Sequence, residues 1–363
     1  MLSLFKSFLI AASLTFVALP SYSQTKEEQA ESLTRSAIEL MDNGHVDESI
    51  ALIKKAQKLD PNNIIYPYEL GYAYYLKKDY KSAIKVLSKL TNRPDTRDYV
   101  YQLLGNSYSM SGQPQKAIQV YEDGLKKFPL SGKLYLERGT MELKREDLDA
   151  ALKYYEMGIK VDPNFPSNYY WASRIYSYTT ETVWTLIYGE LFMNLERNTK
   201  RTAEISKMLY DTYVESIQID SDTSFNLKFS NVLKLEINEV NDVNNLKLPF
   251  PLMAYTPNMS VALINVKSIN LESLHQIRSS FLRSYYENNT YVEYPNVLFD
   301  YQKRISEAGH LEAYNYWLLL RGDEEAFRLW YSTNEAKFDE FAEWFNSNAL
   351  ELSEEYRFYR TQY

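Results

Sequence analysis

Small residues return at fixed steps of 34 residues through the first half of this sequence. They are Gly71, Gly105 and Gly139, together with Ala83, Ala117 and Ala151. Bulky residues keep the same step, at Ile53, Leu87, Tyr121 and Tyr155. A fixed period of this length is typical of stacked helical hairpins, in which each hairpin exposes an apolar face until a neighbour covers it.

Helix-stopping residues fall where this period needs them. Small side chains let the two helices of a hairpin approach closely, and the bulky residues fill the space beside them. Turns should therefore follow each helix, and proline or glycine should mark them. The expected turns are Asn43-Gly44 and Ser111-Gly112 within hairpins, and Asp60-Pro61 and Asp162-Pro163 between hairpins.

The order of small, aromatic, bulky and proline positions resembles the tetratricopeptide repeat, a helix–turn–helix unit of this length. Four units can be written without a gap, at 30–63, 64–97, 98–131 and 132–165. A fifth begins at Tyr169 and fades at Thr185 and Gly189, so the array should cover residues 24–178. The resemblance implies a mostly α fold, with a helical-hairpin solenoid followed by a helical C-terminal region that contains a small β-hairpin or irregular insertion.

An export signal is predicted at residues 1–23. A positive flank at Lys6 precedes the apolar run 8–19, and the small residues Ser21 and Ser23 precede the expected cleavage site. The run is shorter than the ~20 apolar residues that a permanent anchor needs. The chain has no cysteine, so it carries neither a lipid-acylated cysteine nor disulfides. We expect an exported bacterial protein, periplasmic or secreted, with no integral membrane anchor after signal cleavage.

Composition limits the partners of the chain. The formal net charge of −8 argues against binding to the phosphate backbone of nucleic acids. No block of lysine or arginine favours an anionic membrane surface. The 33 tyrosines suit both half-buried helix contacts and binding surfaces, because tyrosine joins apolar area to a hydrogen-bonding tip.

A helical extension and a short β-hairpin are predicted after the repeats. Apolar residues keep a helical spacing over 181–218, so residues 179–221 should continue or cap the array. The spacing then shortens to two over 225–237, and Ser230-Asn231 offers a turn between two strands.

Irregular chain and then further helices are predicted beyond that point. Residues 238–260 are rich in proline and asparagine, so the whole segment 222–268 should be irregular apart from the hairpin. Helices return in an aromatic-rich C-terminal region, 269–363. Asn270 and Asp323 are each expected to cap a helix there.

The sequence predicts no catalytic, cofactor or metal site. Its three histidines lack a metal-binding spacing, and without cysteine a zinc site would need scattered ligands. Phosphate-binding glycine loops and the G-x-S-x-G motif are absent from the sequence. We therefore expect a protein that is not an enzyme and needs no cofactor.

The resemblance implies a concave groove, lined by the first helix of each repeat, that binds a peptide. The candidate groove residues are Tyr68, Tyr72 and Tyr75 in the second repeat, Tyr99, Gln102 and Asn106 in the third, Lys133 in the fourth, and Tyr170 and Arg174 in the fifth. Tyr72 and Tyr99 are expected to hold apolar side chains of a peptide. Gln102 and Asn106 are expected to pair with its backbone amides.

The leading hypothesis is a non-enzymatic protein–protein interaction module or scaffold in the cell envelope, with a partner of unknown identity. Three alternatives stay open at this point. Later helices could fill the groove, in which case the same tyrosines would pack within the chain. Residues 222–363 could carry a hydrolase or carbohydrate-binding function, with Trp317 or Trp330 stacked on a sugar. Copies of the chain could also self-associate through end-to-end packing of repeats.

Overall fold

The computed structural model describes residues 24–221, 224–230 and 248–363, and the predicted export signal lies outside these ranges. The chain divides into two compact units, Met1–Val86 (unit 1) and Leu87–Tyr363 (unit 2). The described residues are mostly α-helical, and the sheet that they contain is a two-stranded hairpin. The predicted fold class is therefore confirmed.

Paired helices joined by short turns make up the repeats. Unit 1 contains α1 (Lys26–Asp42), α2 (Val46–Leu59), α3 (Ile65–Leu76) and α4 (Tyr80–Leu87), whose last residue is the first of unit 2. Unit 2 begins with α5 (Asp98–Met110), α6 (Pro114–Lys127), α7 (Gly132–Leu143), α8 (Leu148–Val161), α9 (Pro166–Tyr176) and α10 (Thr182–Leu195). The closest packing is between the two helices of a hairpin, as in α1 with α2, α5 with α6, α7 with α8 and α9 with α10.

The positions that define the 34-residue period form the core of the repeats. Gly105 shows why a small residue is needed, because a Cβ atom there would lie 2.1 Å from Cε1 of Tyr121. Only glycine lets α5 approach the tyrosine ring on α6 so closely. The buried signature residues are Ala37, Ala83, Ala117 and Ala151, with Ile53, Leu87, Tyr121 and Tyr155.

The turn inside each hairpin also keeps the period. Gly44, Lys78, Gly112 and Glu146 all adopt left-handed backbone conformations, with φ between 63° and 83°. The two glycines confirm the predicted turns. A left-handed backbone is unfavourable for residues with a side chain, so tertiary packing must fix this conformation at Lys78 and Glu146.

The helical extension ends in a strand. Helix α11 (Lys200–Ser216) is followed by β1 (Ile217–Ser221), which pairs antiparallel with β2 (Ser224–Leu227). The helical spacing predicted over 181–218 therefore ends at Ser216, two residues early. Ile217 and Ile219 alternate with polar residues and are β-branched, which favours the strand.

The predicted β-hairpin exists with different pairing. Phe225 lies in a strand as expected, but it pairs with Ile219, which precedes it in the chain. The prediction placed the partner strand after the turn at Ser230-Asn231. Residues 231–247, which include Asn231 and that second strand, lie outside the described residues.

Residues 251–262 are helical, which corrects the prediction of irregular chain over 238–260. A π-helical turn (Pro251–Tyr255) continues directly into α12 (Thr256–Ala262). Pro251 and Pro257 lie in the first turns of these two segments. Proline is tolerated in a first turn because its missing N–H would have no partner within the helix. Pro251 therefore begins this helical stretch, whereas Pro257 lies inside it, just after the π-helical turn.

Five helices form the rest of unit 2. They are α13 (Leu271–Glu287), α14 (Thr290–Glu293), α15 (Val297–Glu307), α16 (Leu311–Leu319) and α17 (Glu324–Ser347), and a 3-10 turn follows at Arg360–Gln362. Both predicted caps are confirmed, since the side chains of Asn270 and Asp323 accept from the backbone N–H groups of Ser273 and Ala326. Helix α17 is interrupted at Asn334, where the backbone is not helical.

A buried ion pair joins α10 to the C-terminal helices. Oε1 of Glu190 accepts a hydrogen bond from Nη2 of Arg278 at 2.6 Å, and both side chains are at most 6% exposed. Gln302 and Tyr314 donate to the same oxygen, at 2.6 and 2.7 Å. Four helices, α10, α13, α15 and α16, thus converge on one carboxylate. The extra donors help offset the cost of removing both charges from water.

The segment after α17 packs back onto the fourth repeat. Arg360 donates to both carboxylate oxygens of Glu156 on α8, at 2.8 and 3.1 Å. Asn164 and Leu352 bond reciprocally, from Nδ2 to the backbone carbonyl at 2.7 Å and from the backbone N–H to Oδ1 at 3.2 Å. These contacts cover the end of the second helix in that repeat.

Replacing Arg278 by methionine should destabilise unit 2 by about 3–5 kcal/mol, because it leaves the Glu190 carboxylate buried without a cation. The double variant Glu190→Gln with Arg278→Met should regain much of this loss, since glutamine still accepts from Gln302 and Tyr314. Urea unfolding followed by tryptophan fluorescence would measure both, because all five tryptophans lie in unit 2. A double variant no more stable than Arg278→Met would contradict this account.

Candidate interaction surface

Polar side chains on successive first helices of unit 2 bond to one another across the repeats. Gln102 Nε2 and Asn106 Nδ2 on α5 both donate to Oε1 of Glu137 on α7, at 2.8 and 3.2 Å. The hydroxyl of Tyr121 in turn donates to Oδ1 of Asn106. The amide groups that were expected to bind a peptide backbone are therefore engaged within the chain.

Lys133 belongs to the same set of contacts between repeats. Its Nζ lies 3.7 Å from Oδ2 of Asp98 at the start of α5, and Ser131 donates to the same oxygen at 2.7 Å. Tyr99, the next residue along α5, is half-buried. Lys133 therefore links the fourth repeat to the third.

The first helix of the fifth repeat, α9, makes the same kind of polar contact with α11. Tyr170 is buried, and its hydroxyl donates to Oε2 of Glu204 at 2.8 Å. Arg174 pairs with Oε1 of Glu204 at 3.1 Å, and Arg201 donates to Ser167 at 3.1 Å. Tyr170 and Glu204 are one 34-residue period apart, as are Ser167 and Arg201. Helix α11 thus occupies the place of the first helix of a sixth repeat.

The candidates on α3 in unit 1 have a different environment. Tyr75 packs edge-on against Tyr80, with ring centroids 5.6 Å apart, and Tyr68 is half-buried. Tyr72 keeps 37% of its surface exposed. Of the three tyrosines on this helix, Tyr72 is the one most accessible to a partner.

Tyr72 belongs to a group of exposed apolar side chains. Ile65, Tyr72 and Leu76 lie on one stripe of α3, at spacings of seven and four residues. Ile38 occupies the position on α1 one period before Tyr72. Each of the four is between 37% and 40% exposed, and we call them the unit 1 apolar face. Sequence reasoning did not place Ile38 and Leu76 among the candidates, although the period leads from Tyr72 to Ile38.

One carboxylate lies beside this face without a cation. Glu69 is four residues after Ile65 and three before Tyr72, so it shares their side of α3. It is half-buried, and burial raises its pKa above the ordinary value of 4.5. Within residues 24–86, no lysine, arginine or histidine forms an ion pair with Glu69.

The tryptophans offered as sugar-binding residues, Trp317 and Trp330, are half-buried and pack against other aromatic side chains. The ring of Trp330 stacks on Tyr316 with centroids 4.2 Å apart, and its Nε1 donates to Glu312 at 2.8 Å. Trp317 meets Phe345 edge-on at 4.8 Å. The aromatic contacts that a bound sugar would need are thus already made within the chain.

No metal-binding cluster of His, Asp or Glu is found in residues 24–221, 224–230 and 248–363. The histidine on α13, His275, is half-buried and packs against other side chains of unit 2. Nδ1 of His275 lies 3.2 Å from Nδ2 of Asn315, and burial lowers the pKa of the imidazole. Among the same residues, no helix has both the length and the apolar character that crossing a membrane requires.

Comparison with known proteins identifies the repeats. Residues 34–96 and 103–168 match the family model described as the tetratricopeptide repeat. The match covers the helical hairpins and the 34-residue period described above. Residues 34–168 therefore contain tetratricopeptide repeats.

Individual relatives are distant. The TPR repeat-containing protein YpiA of Bacillus subtilis (strain 168) is 27% identical over 154 residues, which are 41% of this chain and 36% of that protein. The chain thus spans about a third of the length of this relative. A crystal structure of MamA protein is 23% identical, covers 47% of this chain and 92% of its own, and has a TM-score of 0.36. The thermophilic TPR protein TTC0263 of Thermus thermophilus is 16% identical, covers 50% and 98%, and has a TM-score of 0.42.

Gln102→Ala or Asn106→Ala should each destabilise unit 2 by about 1–2 kcal/mol, because a donor to a half-buried carboxylate is lost. Burial raises the pKa of Glu137, and the bonds from these two amides oppose the rise. Urea unfolding would measure the loss. Gln119→Ala, an exposed substitution on α6, is the matched control and should change stability by less than about 0.5 kcal/mol. Equal effects from all three variants would refute the structural role of this contact.

Glu69→Gln should stabilise unit 1 near pH 7. The pKa of Glu69 is raised in the folded state, so the charged form costs stability above the folded pKa, and this cost fades as the pH falls towards 4.5. Hydrogen exchange of residues 24–86, measured by mass spectrometry, should therefore slow at neutral pH, with a smaller difference in acid. Glu39→Gln, exposed on α1, should leave the exchange unchanged. Faster exchange in Glu69→Gln would contradict the sign.

Proposed function

We propose that this protein is a non-enzymatic interaction module whose unit 1 apolar face holds a segment of another protein. The shared exposure of Ile65, Tyr72 and Leu76 along one stripe of α3, with Ile38 exposed at the equivalent position of α1, is the observation that carries the proposal. Grouped apolar side chains on a surface are typical of interaction sites, whereas single ones are common everywhere. Proteins of this repeat class bind protein or peptide partners, which supports the same conclusion.

The energetics favour an apolar contact centred on Tyr72. Covering this face would remove apolar area from water, worth roughly 25 cal/mol for each Å². Tyrosine is among the residues that most often dominate binding, because its rigid ring buries a large area while its hydroxyl keeps a hydrogen bond. Leu76, one turn later on the same side of α3, would help to exclude water from the ring.

The candidate residues in unit 2 are assigned a structural role in this proposal. Gln102, Asn106, Tyr170 and Arg174 already bond to neighbouring repeats, so fewer of their donors are available to a peptide. Breaking a hydrogen bond to a half-buried carboxylate costs about as much free energy as a new hydrogen bond to the peptide would contribute. We therefore assign these residues to holding the repeats together.

The proposed location is the envelope of a bacterial cell or its surroundings. The support is in the sequence alone, in the predicted export signal at residues 1–23. A chain without cysteine needs no disulfide chemistry to fold after export.

A photo-crosslinking amino acid at position 72 of the full chain, irradiated in a native envelope fraction, should capture a protein that mass spectrometry can identify. The matched position is 178, because Tyr178 lies in unit 2 and is 83% exposed. Affinity for the purified partner should fall about 30-fold in Tyr72→Ala, as expected for a residue worth about 2 kcal/mol. Tyr178→Ala should stay within about twofold of the unmodified chain.

Three results would count against the proposal. Crosslinks that arise from position 178 and not from 72 would place the contact elsewhere. An unchanged affinity in Tyr72→Ala would remove the face from the interaction. Capture of a second copy of this chain alone would show self-association in its place.

A further inference from the structure

Charge in unit 1 is separated between the first and second helices of its hairpins. Helix α1 carries five acidic and two basic residues, and α3 carries one acidic residue and no basic residue. Helix α2 carries two acidic and three basic residues, and α4 carries two basic residues and no acidic one. The helices that bear the unit 1 apolar face are therefore the acidic ones.

We propose that the segment held by the unit 1 apolar face is basic, with lysine or arginine among its apolar residues, and that Glu69 is its ion-pair partner. This inference rests on the function proposed above and adds the chemistry of the partner. Glu69 shares one side of α3 with Ile65 and Tyr72, so a side chain packed on those two residues brings its neighbours to the carboxylate.

The environment of Glu69 favours a cation over other groups. Its carboxylate is half-buried, and burial is the cause that raises its pKa. Within residues 24–86 no lysine or arginine forms an ion pair with it, and Lys77 near the end of α3 pairs with Asp47 on α2. An ion pair in a partly dehydrated place is stronger than one on an open surface, so a bound lysine or arginine would stabilise both charges.

Other partner chemistries meet a penalty at the same place. A wholly apolar segment would bury Glu69 further without any compensating charge or hydrogen bond. An acidic segment would meet Glu69 and the acidic residues of α1, among them Glu31, and like charges repel. A basic apolar segment avoids both costs, which is how the surface would select its partner.

Three matched peptide libraries test this inference on the full chain. Each library keeps the same arrangements of leucine, isoleucine and tyrosine, and the libraries differ in carrying lysine, serine or glutamate at the remaining positions. The best lysine peptides should bind at least about tenfold tighter than their serine counterparts, and the glutamate peptides should bind most weakly. Fluorescence anisotropy at low and high salt gives the affinities.

Variants separate the two proposals. Tyr72→Ala should lower the affinity for lysine and serine peptides alike. Glu69→Gln should reduce the preference for lysine to about two- or threefold and leave the affinity for the serine peptides unchanged. Glu48→Gln, exposed on α2, which bears no residue of the face, removes the same charge and should keep the full preference. Circular dichroism melts of each variant confirm that it is folded.

Each contrary result overturns either the proposed function or the inference of a basic partner. If no library binds, the proposed function fails. If serine and lysine peptides bind equally and Tyr72→Ala weakens both, the function stands and the inference of a basic partner fails. A lysine preference that survives Glu69→Gln removes Glu69 from the interaction. Lysine binding that ignores Tyr72→Ala and disappears at high salt shows a general attraction to an acidic surface, and the inference fails again.

Discussion

The contact between first helices that lie one repeat apart governs what the inner positions of this protein can do. In unit 2 the contact is polar, because Glu137 accepts from Gln102 and Asn106, and Glu204 accepts from Tyr170. Such bonds hold the repeats in register and occupy the groups that make them. In unit 1, α3 carries an exposed apolar stripe at Ile65, Tyr72 and Leu76. The same repeat framework thus joins its first helices by polar bonds in unit 2 and exposes apolar side chains on a first helix in unit 1.

The repeat register made much of the fold predictable. Every core position is specified several times over, once in each repeat, so Ala83 and Ala117 can be assigned even where single repeats depart from the pattern. The prediction weakened at α10 because every residue from 183 to 194 is buried, which removes the alternation of polar and apolar sides. Gly189 broke the pattern for a tertiary reason, since a Cβ there would lie 2.8 Å from Cδ2 of Leu209.

The candidate site was predictable in position and not in partners. The period places Gln102 and Tyr170 on inner helix faces, but their acceptors, Glu137 and Glu204, lie outside the signature positions of the repeat. Whether a polar side chain faces a ligand or a neighbouring repeat depends on the residue about one period later. The prolines near residue 251 misled for a related reason, because proline both stops and starts helices and only the surrounding chain decides between them.

The folding order of unit 2 follows from the contacts made after α17. Glu156 and Arg360 are 204 residues apart in sequence, and Asn164 and Leu352 are 188 apart. Closing loops of this length is entropically costly, so the hairpins can form quickly from local contacts while these links form late. During synthesis on a ribosome, Glu156 on α8 can pair with Arg360 only after all the helices from α9 to α17 have been made. The helices of the fourth repeat therefore form early, and their contacts with Leu352 and Arg360 form last. A chain that ends before these residues would leave this part of the fourth repeat exposed to water.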